Sequence, residues 1–431
     1  MKKSILILII IFSCNRITSA QQMITLPACY ENATLKHPQA GDKNMYQNLW
    51  QLKQDNISSQ WYPDIEAGAN ALYNSNVADL GESFESAPIP GLADNLPSMP
   101  HDQYKLTVDI NQVIYDGGVI KNSLRLEDVG LEVNKQEVEV ELYRIREQVN
   151  NYYFTFLLLH KQRDQLNIFL QTIIEQVLNL ESGIRNGVVL PSDREVLRAE
   201  KIKLEQQVAE IEIKINSTAA VLSDLTGMDI AYDTEAVVPD PVIDYDAILS
   251  RPELNVLDLK KQQLEAGRSM IKSERMPKAF AFATLGYGKP AGNDFFSDSF
   301  GPYYIVGAGI KWKITDWKKS QRQQQIIDIN KSIISSQKSN MEERFKRALG
   351  MKYAEIRSLE SALESDEELI STLMAVHKTA LSRYNNGTIT VSEYLTAWDK
   401  EKQAVINREI HAMRLAKARV EYLNISGKEI K

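Results

Sequence analysis

The chain has 431 residues, enough for two or three domains, with 50 basic against 57 acidic residues and a net charge of −7. A near-balanced, mildly acidic chain is poorly suited to a nucleic-acid backbone, so that class of partner is excluded. Leu, Ile and Val are plentiful while Gly and Pro are modest, which points to a mainly helical protein.

Residues 1–20 read as a signal peptide. Lys2 and Lys3 precede an apolar stretch from Ile5 to Phe12, and Thr18-Ser19-Ala20 supplies small residues for cleavage. A rival route is lipidation at Cys14, because Ile11-Phe12-Ser13-Cys14 loosely matches a lipoprotein box. After cleavage at Ala20 only Cys29 remains, which excludes an intrachain disulfide and a cysteine metal cluster. No later apolar run reaches the ~20 residues of a membrane helix, so any membrane crossing must use strands.

Residues 26–60 read as helix, broken near Pro38 and Gly41 and ended by Trp61-Tyr62-Pro63. The period then drops to two. Ile65, Ala67, Ala69, Ala71 and Tyr73 alternate with Asp64, Glu66, Gly68 and Asn70, predicting a strand over about 63–74. A loop rich in Asn, Ser, Gly, Asp and Pro follows. A second strand is expected over about 104–115, where Tyr104, Leu106, Val108 and Ile110 alternate with Lys105, Thr107, Asp109 and Asn111.

After Asp116-Gly117-Gly118 comes a long apolar stripe at a 3.5-residue period. It reads Val138, Leu142, Ile145, Val149, Tyr152, Phe156, Leu159, Arg163, Leu166, Leu170, Ile173, Val177, Leu180 and Ile184. Such a period belongs to a helix wound against neighbours, here about 100 Å long. The helix ends at Asn186-Gly187, and a second heptad departs through Leu197, Leu204, Val208, Ile211, Ile215, Leu222 and Leu225. This makes a helical hairpin over 118–225 with its tip at 186–190.

The whole unit occurs twice. Pro38 and Pro63 recur as Pro252 and Pro277, 214 residues on, while Ile110, Asp116, Gly187 and Gly227 recur 200 residues on as Ile310, Asp316, Gly387 and Gly427. The first repeat is 21–227, the linker 228–246 and the second repeat 247–431. The second repeat has strands over about 278–288 and 303–314, then a hairpin over 317–425 with its tip at 386–390. Both faces of the strand from Phe280 to Tyr287 are apolar, so its orientation stays open. The second long stripe is wetter, interrupted by Lys352, Asp366 and His377.

Each strand has the length to cross a bilayer when tilted, with aromatics (Tyr73, Tyr104, Tyr304, Trp312) at the ends of the apolar sets. Four strands cannot close a barrel, and open edges are not tolerated in lipid, so the chain must oligomerise. Three copies give about twelve strands. The scattered histidines (His37, His101, His160, His377, His411) have no metal-ligand spacing, and no phosphate loop or nucleophile motif occurs, so we expect neither an enzyme nor a cofactor or metal.

The ordered pieces resemble the outer-membrane efflux protein family, the TolC-like ducts of tripartite efflux and type I secretion systems. They are Thr25-Leu26 to Pro38, Gln112-Val113-Ile114-Tyr115-Asp116-Gly117-Gly118, and the two hairpin turns around Arg185-Asn186-Gly187-Val188 and Arg383-Tyr384-Asn385-Asn386-Gly387. The resemblance covers nearly the whole mature chain. It implies a homotrimer in the cell outer membrane, with a β-barrel of about twelve strands continuing into a coiled-coil α-barrel of about twelve helices across the periplasm.

It also implies partners and a site. The tips, Gly187, Val188, Val189 and Leu190 with Gly387, Thr388, Ile389 and Thr390, would dock a periplasmic adaptor protein serving an inner-membrane pump of the RND or ABC type. Exposed apolar residues at a hairpin end fit that role, and ordinary turn packing is the plainer reading. Asp193 and Tyr384 would link the hairpins to close the tunnel, and Glu393 would form a ring of carboxylates in the pore. Asp193 also suits a helix N-terminus. Ile389 and Thr396 depart from the best-known family pattern, with Ile389 in place of a basic residue and Thr396 where a second pore acid can occur. The function expected is a passive export duct, and the alternative is a secreted coiled-coil scaffold or adhesin without a pore.

Overall fold

A computed structural model describes residues 23–83, 96–185, 191–246 and 248–430. The expected signal peptide with Cys14 and the expected first tip, Gly187 to Leu190, lie outside the described residues. The chain is mostly helical with one small antiparallel sheet. It divides into a helical unit (1–41, 137–255 and 339–431) and a sheet unit (42–136 and 256–338).

The main helices among the described residues are α1 (Leu26–Lys36), α2 (Asp42–Ser58), α3 (Val119–Arg185), α4 (Pro191–Thr226), α5 (Pro252–Ser273), α6 (Lys319–Asn385) and α7 (Val391–Ser426). The strands are β1 (Asp64–Tyr73), β2 (Asp102–Tyr115), β3 (Lys278–Lys289) and β4 (Gly301–Lys311). α3 and α6 each have 67 residues, and α4 and α7 each have 36. All four pairs of helix boundaries sit 200 residues apart: Val119 and Lys319, Arg185 and Asn385, Pro191 and Val391, Thr226 and Ser426.

In the helical unit the stripe on α3 becomes the core. Ile145, Val149, Phe156 and Leu159 pack with Cys29, Tyr30 and Ala33 of α1, Ile215 and Leu222 of α4, and Met413 and Val420 of α7. Full burial of side chains of this size stabilises by ~1.5–3 kcal/mol each. Cys29 is buried, and loss of hydration pushes its thiol up to about 12, so it packs as a small apolar residue. One stripe position is corrected. Tyr152 is 39% exposed, while Tyr153 is fully buried with its hydroxyl donating to the Ile24 and Val237 carbonyls. The hydroxyl needs buried acceptors, and the Ile24 and Val237 carbonyls supply them on the Tyr153 face.

The three polar interruptions of the second stripe are paired across the α6–α7 hairpin. Lys352 meets Glu421 at 2.7 Å, Asp366 meets His411 at 2.7 Å, and His377 meets Glu401 at 2.5 Å. As the α6 number rises the α7 number falls, as an antiparallel pair requires. A polar group in such a seam is tolerated only in the register that gives it a partner.

In the sheet unit the strand order is β1-β2-β3-β4, antiparallel throughout. The register places Ile65, Ala67 and Ala69 beside Ile110, Val108 and Leu106, then beside Ala283, Leu285 and Tyr287, then Val306 and Tyr304. That face is apolar. The other carries Asp64, Glu66, Lys105, Thr107, Asp109 and Thr284, with both Thr107 and Thr284 donating to the Asp109 carboxylate. It also carries Phe280 and Phe282, whose rings lie over Gly309 and Gly307, where a Cβ would come within 2.7 and 2.5 Å of them. On β2 and β4 the apolar row is the more exposed one: Leu106 is 59% and Val306 73% accessible, while Lys105, Thr107, Gly307 and Gly309 are half-buried. β1 is exposed on both faces, and Ala279 to Ala283 of β3 are half-buried. β1 and β4 leave open edges among the described residues.

Candidate gate and docking end

The helical unit ends in the turn between α6 and α7, and its geometry follows from three residues. Gly387 adopts φ +70°, the left-handed conformation that stops a helix. Its N–H donates to the Tyr384 carbonyl at 2.9 Å and the Thr388 N–H to the Arg383 carbonyl at 2.9 Å, which satisfies the last turn of α6. A Cβ at Gly387 would meet nothing within 4 Å, so glycine is needed for its backbone freedom and not for space.

Thr390 then opens α7. Its hydroxyl accepts from the Glu393 N–H at 3.2 Å, while the Glu393 carboxylate accepts from the Thr390 N–H at 2.8 Å, a reciprocal capping box. These bonds hold the Glu393 carboxyl below the usual range, the Thr390 backbone contact first. Of the tip residues, Gly387, Thr388 and Thr390 are exposed, and Ile389 is half-buried against the apolar cluster behind the turn.

That cluster contains Phe169, Ile173 and Leu180 of α3, Leu197 and Leu204 of α4, and Tyr384, Val391, Tyr394 and Trp398 from the second hairpin. Tyr384 lies near the end of α6, buried, and stacks on Tyr394, which contacts the His377 ring at 5.6 Å. Asp193 sits half-buried in the first turn of α4. Burial first, and the negative charge of Asp193 second, push the Tyr384 phenol up to about 12. The Tyr384 and Tyr394 hydroxyls and His377 Nε2 are buried with no hydrogen-bond partner among the described residues. The structure thus brings Asp193 and Tyr384 into one electrostatic neighbourhood, while Glu393 lies on the exposed side of the α7 cap.

Sequence reasoning missed the pair joining the two hairpins here. Lys402 of α7 meets Glu200 of α4 at 2.9 Å, with both side chains close to 90% buried. Burial alone would lower the Lys402 pKa, but Asp399 and Glu200 outweigh it and the value is raised. A single lysine in a heptad carries no sign of a partner 202 residues away. Among the described residues no cluster of three His, Cys, Asp or Glu side chains is arranged to hold a metal, and no helix is long and apolar enough to cross a membrane.

Two long helical hairpins, each preceded by two strands of one shared sheet, make up a fold that this chain shares with solved outer-membrane channels. Solved structures carry the comparison. No family model matches the sequence, and no curated protein does. The chain is similar to CusC, described in work on its folding and transmembrane channel formation, at 12% identity and TM-score 0.68, covering 94% of this chain and 92% of that one. It is similar to the VceC outer membrane protein of Vibrio cholerae at 16% identity and TM-score 0.63, covering 93% and 96%. It is also similar to the CmeC outer membrane channel of Campylobacter jejuni at 14% and 0.61, covering 94% and 86%.

Proposed function

We propose that this protein is a passive outer-membrane export duct, a homotrimer whose sheet closes in lipid and whose hairpins form a tunnel across the periplasm. The observation that carries this reading is the inverted polarity of the sheet. In water an exposed row of Ile65, Leu106, Val108, Leu285, Val306 and Ile310 on a sheet with two open edges is an aggregation hazard. In lipid the same row is satisfied, and the open β1 and β4 edges are satisfied only by further copies. The polar face then lines water, and β-strands supply the crossing that no described helix supplies.

At the other end, the exposed Gly387–Thr390 tip, together with Gly187 to Leu190 of the first hairpin, docks a periplasmic adaptor that couples the duct to an inner-membrane pump. Asp193 and Tyr384 hold the tunnel closed, and Glu393 presents the pore carboxylate. The cargo class is small-molecule efflux or type I secretion, with the energy supplied by the pump. Resemblance to efflux channels supports this assignment.

The deciding experiment is envelope fractionation followed by native mass spectrometry in detergent. Resistance to salt extraction, release by detergent and a mass of three copies are expected. Release by salt as a monomer would favour the scaffold reading instead. Cysteines placed at Ala67 on β1 and Ala308 on β4 should then crosslink between copies and never within one.

A further inference from the structure

We infer that the segment Lys311–Lys319, where β4 passes into α6, is an anchor for anionic phospholipid headgroups on the leaflet from which the helices emerge. This rests on the reading of the sheet as the lipid-crossing element. The segment reads Lys311-Trp312-Lys313-Ile314-Thr315-Asp316-Trp317-Lys318-Lys319. Its counterpart 200 residues earlier, Asn111-Gln112-Val113-Ile114-Tyr115-Asp116-Gly117-Gly118-Val119, has neither lysine nor tryptophan. Both segments leave the same end of the sheet, β2 ending at Tyr115 and β4 at Lys311, so the asymmetry lies in the residues and not in their place.

The backbone sharpens the contrast. Gly117 and Gly118 adopt φ +77° and +86°, a conformation glycine reaches freely. Trp317 and Lys318 adopt φ +51° and +63° at the corresponding positions. A left-handed tryptophan followed by a left-handed lysine is an unfavourable pair, and such residues persist where their side chains are used. Packing makes little use of them: Trp317 is 86%, Ile314 70% and Trp312 58% exposed, the last with its indole N–H donating to the Arg275 carbonyl at 3.1 Å. The four lysines are exposed and make no ion pair among the described residues. Asp316 is already engaged by Ser320 through its N–H and hydroxyl.

At the opposite end of the sheet, Lys289 is neutralised by Asp102 and Asp298. Unpaired lysines interleaved with exposed tryptophans at the rim of an apolar face match the chemistry of an anionic headgroup layer. The rings sit at the interface, and the ammonium groups reach phosphate.

The test uses full-length protein reconstituted in vesicles of phosphatidylcholine alone and of an equal mixture with phosphatidylglycerol. Insertion is scored by flotation after a carbonate wash, and the lipid retained by detergent-extracted protein is counted by mass spectrometry. Wild type should insert into both and retain phosphatidylglycerol several-fold above its bulk share. K313Q/K318Q/K319Q should insert equally while that enrichment falls to the bulk ratio. W317G/K318G, which restores the pair of the first repeat, should be more heat-stable in neutral detergent yet show reduced enrichment. Normal insertion with no enrichment, or enrichment that survives the lysine changes, overturns the anchor and leaves the duct intact. Crosslinks from Lys318 to an acidic protein in whole envelopes, with no lipid enrichment, would assign the patch to that partner instead. Failure of wild type to insert overturns the membrane reading and the anchor with it.

Discussion

The Tyr384 ring lies flat against the Tyr394 ring, with centroids 5.4 Å apart and planes 14° from parallel. The stack joins the last turn of α6 to the first turn of α7, beside Asp193 at the start of α4. Tyr384→Phe keeps the stack and removes a hydroxyl without a partner, so stability should change by less than about 0.5 kcal/mol. Tyr384→Ala empties a buried site and should cost ~3–5 kcal/mol in denaturant unfolding. Asp193→Ala combined with Tyr384→Phe should raise single-channel conductance in planar bilayers if the pair closes the tunnel. Unchanged conductance would remove both residues from the gate.

Glu393 caps α7, and one substitution separates that bond from the proposed pore charge. A glutamine still accepts from the Thr390 N–H, so Glu393→Gln should leave α7 capped and cost under about 0.5 kcal/mol. It removes the charge, and block of the pore by divalent cations should weaken. Equal block in both proteins would place the carboxylate ring elsewhere.

Alkaline pH should loosen this end. Burial raises the Tyr384 phenol to about 12, with the Asp193 charge second, and raises Tyr394 to about 12, with Tyr384 and Glu401 following. A pKa raised in the folded state means stability that is complete below the unfolded value near 10 and is lost as pH climbs from there toward 12. Phenolate absorbance should show a late-titrating fraction, reduced in Tyr384→Phe and again in Tyr394→Phe. Loss of that fraction in neither variant would show that these phenols are open to water.

The sheet makes a packing prediction. A Cβ at Gly309 would stand 2.7 Å from Cζ of Phe280. Gly309→Ala should therefore destabilise the refolded protein by ~1–3 kcal/mol, and Phe280→Leu in the same chain should recover much of that loss. Independent, additive effects in a double-mutant cycle would refute the contact.

Much of the architecture was legible in the chain because periodicity and punctuation are local. The change from period two to period 3.5 at Asp116-Gly117-Gly118, the glycine at 387 and the 200-residue repeat each follow from bonds within a few residues or from self-comparison. The candidate site was less legible. Asp193, Tyr384 and Glu393 follow from the resemblance, whereas the Tyr384–Tyr394 stack, the tilted Tyr394–His377 contact and the Lys402–Glu200 bridge join positions that have no common local pattern.

By itself the sequence determined which segments are helix or strand, that the unit is duplicated, and that one row of three strands is apolar. Only the tertiary structure decided how β3 faces. Ala279, Ala281, Ala283 and Leu285 share the apolar row, and Phe280 and Phe282 turn to the polar face because glycines at 309 and 307 leave room for their rings there. It likewise buried Tyr153 in place of Tyr152 and gave each polar interruption of the second seam its partner. The reason is the same in each case. Local propensity fixes the course of the backbone, but which side chain is buried depends on volume and hydrogen-bond partners supplied by residues far away in the chain.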